Sequence, residues 1–275
     1  MSPSATPSRM KIRQGCNHEH SARGEKGTQS PFRAAWFWSN ESVTDIFKRG
    51  NTVYQRYTAW DGEEASPRFS ALRDDNCRME WSELATESRI LTRSFYNRDA
   101  VTVAQELLGK ILVHRRVAGM IIETEAYLGG DDLAAHSARG ITDRTRVIFG
   151  PPGHAYVYFI YGMHECLNLV AEPEGSPGCV LIRAAEPVAG IEIMKTRRPK
   201  ARWLEKLASG PGNLTRAFAI TRAQNGADVT RGPLVVRKWS REPKFEIKVT
   251  PRIGIRHCAD WPLRFVIAGN KAVSG

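Results

Sequence analysis

Two acidic residues and a tyrosine alternate in segment 121–129, which reads IIETEAYLG. On a β-strand, alternate side chains share one face, so Glu123, Glu125 and Tyr127 are predicted to point to the same side. A carboxylate beside an aromatic ring that can stack on a substrate is suited to act as a general base. The same pattern is also typical of a solvated strand face, and the pattern alone leaves both interpretations open.

A run of aromatic residues follows in segment 156–164, which reads YVYFIYGMH. Tyr156 and Tyr158 share one face of the predicted strand, whereas Tyr161 and Met163 come from the turn that follows it. Each buried tyrosine hydroxyl needs a hydrogen-bond partner, so three tyrosines are an unusual way to fill a core. These side chains could instead stack on bases or wedge between them, although a packed core stays the alternative.

Three further polar residues could join such a site. Arg183 ends an apolar strand, where its guanidinium must reach water or an acid; it could orient a catalytic carboxylate or form an ordinary ion pair. His136 lies among small residues, where a histidine is most often structural, and it gains interest only if it faces Glu125. Asn168 follows the tyrosine turn and could donate to a base edge or accept from it.

The charge of the chain indicates a polyanionic partner. Lys and Arg number 40 against 29 Asp and Glu, which gives a net charge of +11. Residues 91–275 carry +10 of this excess. Each phosphate neutralised by a basic side chain releases counterions, so nucleic acid fits this balance. A merely soluble basic protein fits the charge equally well.

Composition excludes several classes of protein. Hydrophobic residues make up 41% and charged residues 25% of the 275 residues, which is ordinary for a globular domain. The apolar run 155–161 is far shorter than the about 20 residues of a membrane-spanning helix, so no membrane association is expected. The N-terminus lacks the apolar stretch of a secretory signal.

The cysteines favour a reducing compartment. The chain has five of them, without any C-x-x-C pair, so neither a disulfide framework nor a zinc ribbon is predicted. We expect a cytoplasmic protein, associated with the nucleoid if it is bacterial. Cys16, His18 and His20 form a short polar cluster that could bind a metal weakly, but most such clusters bind nothing specific. The sequence therefore predicts no metal site.

The chain is predicted to divide near residue 90. Residues 1–90 form an N-terminal extension whose opening stretch, rich in Ser, Pro, Gly and charge, is predicted to be disordered. The aromatic stretch 31–57 could fold locally, and translation could begin at Met79, which would make the leader dispensable. Residues 91–275 are predicted to form one compact domain.

Within that domain, the predicted strands outnumber the helices. Asp99 is predicted to cap a helix that ends at Gly109, and a hairpin joins 110–114 to 120–126 through a turn at 115–119. The other expected strands are 155–161, 168–171, 179–184, 234–236, 245–249, 253–255 and 265–268, and the other helical segments are 190–197, 203–207 and 210–220. This pattern predicts an α+β fold, with a curved, mostly antiparallel sheet surrounded by helices.

Several motifs in this order resemble the alkyladenine (3-methyladenine) DNA glycosylase family. The resemblance runs from about residue 91 to residue 274, two thirds of the chain, and leaves the leader outside. The matching motifs are ELLGKILV at 106–113, IETEAYLG at 122–129, AAHS at 134–137, FGPPGHAYVYFIYGMH at 149–164, CVLIRA at 179–184, SGPGNL at 209–214, RIGI at 252–255 and WPLRF at 261–265.

The resemblance implies an enzyme that removes damaged purines from duplex DNA by hydrolysing the N-glycosidic bond. Glu125 would be the general base that activates water, and Arg183 would position the water and the carboxylate. Lesions would be of the 3-methyladenine type, with hypoxanthine and ethenoadenine as further candidates. No lysine lies in the pocket motifs, so simple hydrolysis without a Schiff base, and without any cofactor, is expected.

The resemblance also implies how the substrate would be held. Tyr127, His136 and Tyr158 would enclose a base flipped out of double-stranded DNA, and Asn168 at the pocket floor would clash with the 2-amino group of normal guanine. Tyr161 would intercalate in place of the flipped base, with Met163 beside it. A monomer is the expected state.

One position departs from the family pattern. Glu165 stands where the family usually has an aromatic residue, and an acid near the DNA surface would oppose phosphate unless it points away.

Two other functions stay open from the residues alone. A non-catalytic nucleic-acid-binding module of the same fold would work without Glu125. A hydrolase of small substrates would use Glu123 and Glu125 as an acid–base pair and would depend little on salt.

Overall fold

The computed structural model describes residues 45–49, 52–56, 81–240 and 242–275, all of which belong to one unit, Asn40–Gly275. Several predictions lie outside these residues: the disorder of the leader's opening stretch, a translation start at Met79, and the Cys16, His18 and His20 cluster. Two short strands, β1 (Asp45–Arg49) and β2 (Thr52–Arg56), fall within the stretch that was predicted to fold locally.

The described residues form an eleven-stranded sheet in which the paired strands are antiparallel. The remaining strands are β3 (Ser88–Ile90), β4 (Ile111–His114), β5 (Val117–Tyr127), β6 (Ala155–Ile160), β7 (His164–Ala171), β8 (Gly178–Ala189), β9 (Leu234–Trp239), β10 (Ile247–Thr250) and β11 (Arg264–Ile267). One path runs β1-β2-β10-β11-β5-β4-β9-β3, and a branch runs β5-β8-β7-β6.

Short helices accompany the sheet. They are α1 (Trp81–Thr86), α2 (Arg93–Tyr96), α3 (Ala100–Glu106), α4 (Ile191–Arg197) and α5 (Pro211–Phe218), with single 3₁₀ turns at His136–Arg139, Arg146–Phe149, Leu204–Lys206 and Arg222–Gln224. The predicted α+β class, with a mostly antiparallel sheet, is confirmed. Among the described helices, none combines the length and apolar character that crossing a bilayer requires.

The helix predicted after Asp99 forms because its ends are satisfied locally. The Asp99 carboxylate accepts a hydrogen bond from the Thr102 amide at 2.9 Å, which caps an otherwise unpaired donor. Gly109 then adopts a φ of +77°, a left-handed conformation that ends the helical stretch. Val103 and Leu107 are fully buried, so the helix presents its apolar face to the core.

β5 and β8 are the central pair of strands, and both are longer than predicted. β5 begins at Val117, because only Arg115 and Arg116 separate it from β4, whereas a five-residue turn was expected. β8 continues past Ala184 to Ala189. The strand predicted at 253–255 is wrong: residues 253 and 254 form a bend, and none of the three residues belongs to a strand.

A close approach between the two central strands requires glycine at one position. A Cβ at Gly119 would lie 2.9 Å from the carbonyl oxygen of Glu186 and 3.1 Å from the Phe218 ring. Phe218 is fully buried in the main core, so α5 packs directly against this crossing. We expect larger residues at 119 to force the helix away from the sheet.

Residues just before the predicted boundary at residue 90 also pack on the sheet. β3 pairs with β9, and Leu84 of α1 is 2% exposed in a small apolar cluster with Ile111 and Val235. The division at residue 90, and the dispensability of the leader, stay predictions.

Candidate active site

A single row of residues crosses five strands at the centre of the candidate site. Directly opposed pairs join Tyr156 to Asn168, Asn168 to Leu181, Leu181 to Glu125, and Glu125 to Arg264. Side chains that lie opposite each other in an antiparallel ladder point to the same face. The fold therefore brings Glu125 and Asn168, 43 positions apart in the sequence, to one face of the sheet.

The ladder between β5 and β8 is interrupted beside this row. Ile121 pairs with Ala185, Glu123 with Ala184 and Thr124 with Ile182, so Ile122 on one strand and Arg183 on the other are left unpaired. Bulges of this kind redirect side chains and are common next to active sites. Here the irregular ladder coincides with the approach of Arg183 to the two acids of β5.

Glu125 is fully buried, and both of its carboxylate oxygens have partners. Oε1 accepts a hydrogen bond from the Ile253 amide at 2.8 Å and lies 3.2 Å from Nη1 of Arg183. Oε2 accepts a hydrogen bond from the Tyr127 hydroxyl at 2.9 Å. A buried carboxylate is tolerated only when such partners replace water. The solvated strand face considered for this segment is therefore excluded.

The pKa shifts of Tyr127 and Arg183 are consistent with their contacts to Glu125. Burial, followed by the charge of Glu125, raises the pKa of Tyr127 well above its ordinary value, so the hydroxyl stays protonated and donates. Burial alone would lower the pKa of Arg183, but the carboxylates of Glu125 and Glu123 outweigh it and raise that pKa. The guanidinium is therefore a permanent cation between two acids.

Glu123 is also fully buried, but its surroundings differ from those of Glu125. It accepts hydrogen bonds from Nε of Arg183 at 2.8 Å and from Nε of Arg264 at 2.7 Å. It also accepts from the amide of Ser274 at 2.7 Å and from its hydroxyl at 2.9 Å. These four donors give Glu123 a structural role. Glu123 in turn holds Nε of Arg183, while Nη1 of the same guanidinium contacts Glu125.

A second buried ion pair supports Tyr127. Arg252 and Asp132 are both fully buried and form a bidentate pair, with N···O distances of 2.6 and 2.8 Å. The Arg252 guanidinium also lies 4.6 Å from the centroid of the Tyr127 ring. Asp132 further accepts a hydrogen bond from the Leu128 amide at 3.1 Å, which fixes the end of β5. The orientation of Tyr127 is thus set by residues that sequence reasoning missed.

Three aromatic rings, His136, Tyr156 and Tyr158, pack against one another next to this network, and we call them the aromatic cage. The His136 and Tyr158 rings meet edge to face with centroids 4.5 Å apart, and the Tyr156 and Tyr158 rings lie 5.4 Å apart. Nδ1 of His136 is 2.9 Å from the Tyr156 hydroxyl. Tyr127 and Tyr158 both pack against the apolar cluster that contains Tyr156. The cage and the buried acids therefore share one region of the sheet.

The cage keeps His136 neutral. Burial lowers the pKa of His136 from 6.5 to about 4, and the positive charge of Arg144 contributes in the same direction. At neutral pH the ring is therefore an uncharged donor and acceptor. Asn168 lies behind the cage, where it is 3% exposed and its amide nitrogen donates to the carbonyl of Tyr156 at 3.3 Å.

The hairpin between β6 and β7 carries the most exposed aromatic residue described. Tyr161 is 73% exposed and Met163 is 69% exposed. Tyr161 has a φ of 53° and Gly162 a φ of 66°, and the Met163 amide donates to the carbonyl of Ile160 at 3.2 Å. A bulky residue at positive φ is uncommon, and such outliers concentrate at functional sites. Tyr161 therefore stands on a tight turn and points away from the core.

Glu165 does not present an isolated negative charge near this hairpin. Its carboxylate is mostly buried and pairs with Nε of Arg222 at 3.1 Å. Arg222 in turn lies over the Phe159 ring, 4.7 Å from its centroid. The family departure at Glu165 is thus accompanied by a compensating cation, while its effect on DNA binding stays a prediction.

The predicted site residues fall into three groups. Tyr127 and Arg183 both bond to Glu125. His136, Tyr158 and Asn168 all contact Tyr156. Tyr161 and Met163 lie apart at the hairpin tip. Sequence reasoning missed Asp132, Arg144, Arg252, Arg264 and Ser274. Of these five residues, only Arg252 and Arg264 could have been noticed in the sequence, because they lie in the RIGI and WPLRF motifs. No cluster of three or more metal-ligating side chains occurs within the described segments.

An α+β domain whose buried carboxylate adjoins a cage of aromatic rings has the parts of an enzyme that applies acid–base chemistry to a flat ring. The sequence matches the model of the methylpurine-DNA glycosylase (MPG) family over residues 94–271. Because this match spans more than half of the chain, the chain belongs to that family, and the resemblance noted from its motifs is confirmed.

Relatives from three other organisms are similar to this chain. Three of them carry the name "Putative 3-methyladenine DNA glycosylase". The one from Methanoculleus marisnigri is 52% identical over 190 residues, which cover 67% of this chain and 98% of the relative. The one from Methanocella arvoryzae is 53% identical over 180 residues, covering 64% and 89%. The one from Clostridium acetobutylicum is 46% identical over 199 residues, covering 67% and 97%. The chain is accordingly a DNA glycosylase, a hydrolase of DNA repair whose substrate is DNA.

Proposed function

We propose that this enzyme flips alkylated or otherwise damaged purines out of duplex DNA and hydrolyses their N-glycosidic bond with a water molecule activated by Glu125. The observation that carries the proposal is the fully buried Glu125 carboxylate, held by Arg183, Tyr127 and the Ile253 amide beside an aromatic cage. The names of its relatives support lesions of the 3-methyladenine type. Hypoxanthine and ethenoadenine are the further candidate lesions.

The buried position of the acid supports base flipping. A carboxylate without exposed surface cannot reach a sugar–base bond inside a stacked helix, so the nucleotide must leave the stack, at a cost of a few kcal/mol. Tyr161, exposed at the tip of its hairpin, would fill the gap that the base leaves, and Met163 would lie beside it. This wedge would offset part of the unstacking cost.

The chemical step is a simple hydrolysis. Glu125 takes a proton from water while the water oxygen forms a bond to the anomeric carbon of the sugar. The bond from that carbon to the purine nitrogen breaks, and its electron pair leaves with the base. Arg183 would hold the carboxylate and the water in position, since it is fixed between Glu123 and Glu125. The products are a free purine and an abasic site.

Two rings of the cage, together with Tyr127, would select the base by shape and charge. Tyr127, His136 and Tyr158 would enclose the flipped purine, and neutral His136 can donate or accept a hydrogen bond. Asn168, buried behind Tyr156, would clash with the 2-amino group of normal guanine. An alkylated purine that carries positive charge is already a good leaving group, whereas a neutral lesion depends more on acid–base help.

The small-substrate hydrolase has little support from this geometry. It needs Glu123 as the partner acid, but Glu123 is occupied by four donors from Arg183, Arg264 and Ser274. A non-catalytic binding module of the same fold is decided by the experiment below. We further propose a monomer that resides in the cytoplasm, on the nucleoid in a bacterium.

The test is a single-turnover assay on a labelled duplex with one hypoxanthine or one ethenoadenine. Wild type should leave an abasic site, and Glu125→Gln should lose at least about a thousandfold in rate with duplex binding retained. Glu106→Gln is the matched control, because it changes an exposed carboxylate whose ion-pair partner is Arg98, remote from the candidate site.

Two outcomes contradict the proposal. Equal rates for wild type and Glu125→Gln would remove Glu125 as the base. No product from wild type on these lesions or on an alkylated purine, with tight duplex binding, would favour the binding module. Binding should also weaken steeply between low and moderate salt, as phosphate-driven association does.

A further inference from the structure

Arg144 is a cation whose position the proposed chemistry does not explain. It lies in a compact turn, where the Thr142 amide donates to Oγ1 of Thr145 at 2.8 Å and that hydroxyl donates to the carbonyl of Gly140 at 2.9 Å. Thr145 is 4% exposed, so the turn is anchored in the protein. These bonds fix the backbone from which Arg144 extends.

The Arg144 guanidinium lies over one ring of the aromatic cage, that of Tyr158. Its central carbon is 5.3 Å from the centroid of the Tyr158 ring, within the range of a cation–π contact. Its charge also lowers the pKa of His136, after burial. Its hydrogen bond to Tyr156, and then its charge, oppose the rise that burial causes in the pKa of Tyr156. One guanidinium therefore acts on all three aromatic members of the cage.

No carboxylate neutralises this guanidinium within residues 81–240 and 242–275. Its neighbour Arg146 differs, since it pairs with Asp143 at 3.0 Å and is well exposed. The electron-rich rings are thus the partners of Arg144. A ring system that already holds a cation has less attraction left for a second one.

We propose that Arg144 determines how the cage discriminates between cationic and neutral purines, a role that rests on the proposed function. A purine alkylated on a ring nitrogen arrives as a cation and meets a resident positive charge. A neutral purine, such as hypoxanthine, meets a flat guanidinium that can stack on it or donate hydrogen bonds. Arg144 therefore lowers the preference of the cage for cationic lesions.

The test compares two lesions across a set of variants. Values of kcat/KM are measured for release of 3-methyladenine from methylated duplex DNA and of hypoxanthine from a defined duplex. Arg144→Gln should raise the ratio of cationic to neutral excision by about fivefold. Arg144→Lys, which keeps the charge, should stay near the wild-type ratio. Arg146→Gln removes a charge from the same turn without touching the cage and should leave the ratio unchanged.

A phosphate contact would give a different pattern. If Arg144 only binds the DNA backbone, Arg144→Gln slows both lesions by the same factor, and the unchanged ratio overturns the proposal. An increase of the same size in Arg146→Gln would overturn it as well, because the effect would then follow net charge and not the cage.

A binding measurement separates this proposal from the proposed function. The affinities of wild type and Arg144→Gln for 3,9-dimethyladeninium, a fixed cation, and for neutral 9-methyladenine are measured by NMR titration. Arg144→Gln should bind the cation more tightly relative to the neutral base, and an unchanged relative affinity overturns the proposal. Absence of glycosylase activity in wild type contradicts the proposed function, while this comparison still decides the role of Arg144.

Discussion

The buried network of Glu123, Glu125 and Arg183 and the tip of the β6–β7 hairpin hold their proposed functional side chains in opposite ways. Glu125 has no exposed surface, and its oxygens are held by Arg183, Tyr127 and the Ile253 amide. Tyr161 is 73% exposed and stands on a turn with a φ of 53°. The Glu125 carboxylate is fixed by several partners in the folded protein, whereas the Tyr161 side chain packs on little of it.

The difference follows from what each group is proposed to do. A general base gains from an environment that is organised before the substrate arrives, because no energy is then spent on reorganising it during the reaction. A wedge must enter a helix that is not part of the protein, so its partners are the bases themselves. Folding should therefore determine the network, and DNA binding should determine the tip.

Removal of Arg183 should have the largest effect. Arg183→Met would leave the buried carboxylates of Glu123 and Glu125 without their shared cation, which we expect to cost about 3–5 kcal/mol of unfolding free energy. Urea denaturation followed by circular dichroism measures this loss. Arg183→Lys, which restores a charge without the planar fork, should recover part of it. A loss below about 1 kcal/mol would show that the network is not a structural unit.

Tyr161→Ala should weaken DNA binding while it leaves the stability of the folded protein almost unchanged. Its side chain packs on little of the protein, so the unfolding free energy should change by no more than about 0.5 kcal/mol. Affinity for a lesion-containing duplex should fall by about tenfold, since stacking of a base on an aromatic ring contributes about 1–3 kcal/mol. Equilibrium binding and thermal unfolding of the same samples provide both values. Unchanged affinity together with an unchanged single-turnover rate would contradict the wedge role.

The smallest effect concerns the dependence of stability on pH. The pKa of His136 is lowered by burial, and then by Arg144, from 6.5 to about 4 in the folded protein. Between these values the unfolded chain binds a proton that the folded protein does not, so stability from this group is present above pH 6.5 and is lost as the pH falls towards 4.

Chemical shift titration of the His136 ring checks this directly. Arg144→Gln should move the titration midpoint up, while burial keeps it below the ordinary value. His136→Gln should reduce the fall in melting temperature between pH 7 and pH 5. A wild-type midpoint near 6.5 would mean that neither burial nor Arg144 acts on the ring.

Local features of the fold were predictable because their causes are local. Asp99 and Gly109 bracket α3 within a few residues, and the alternation from Thr124 to Tyr127 places Glu125 and Tyr127 on one side of β5. The burial of Glu125 was left open, because an acid on a strand has the same pattern whether its face meets water or an arginine from another strand.

The rest depends on contacts between distant parts of the chain. Arg183 and Ile122 fall at irregular points of the ladder that exist only when β5 meets β8. Ser274 reaches Glu123 across 151 positions. The apolar alternation at 253–255 predicted a strand, but the Ile253 amide donates to Glu125 instead of to a ladder partner. Strand patterns of three residues carry too little information to reveal such a use.

We assign bond cleavage to Glu125 and base flipping to Tyr161. The most direct test of this assignment follows flipping and bond cleavage in the same reaction. Stopped-flow fluorescence of a duplex with one ethenoadenine reports the base leaving the stack, and quenched samples report the abasic product. Glu125→Gln should give the wild-type flipping signal with almost no product, whereas Tyr161→Ala should give slower or weaker flipping, with cleavage of the flipped fraction preserved. If Glu125→Gln lost the flipping signal while Tyr161→Ala kept it, the assignment of cleavage to Glu125 and of flipping to Tyr161 would be contradicted.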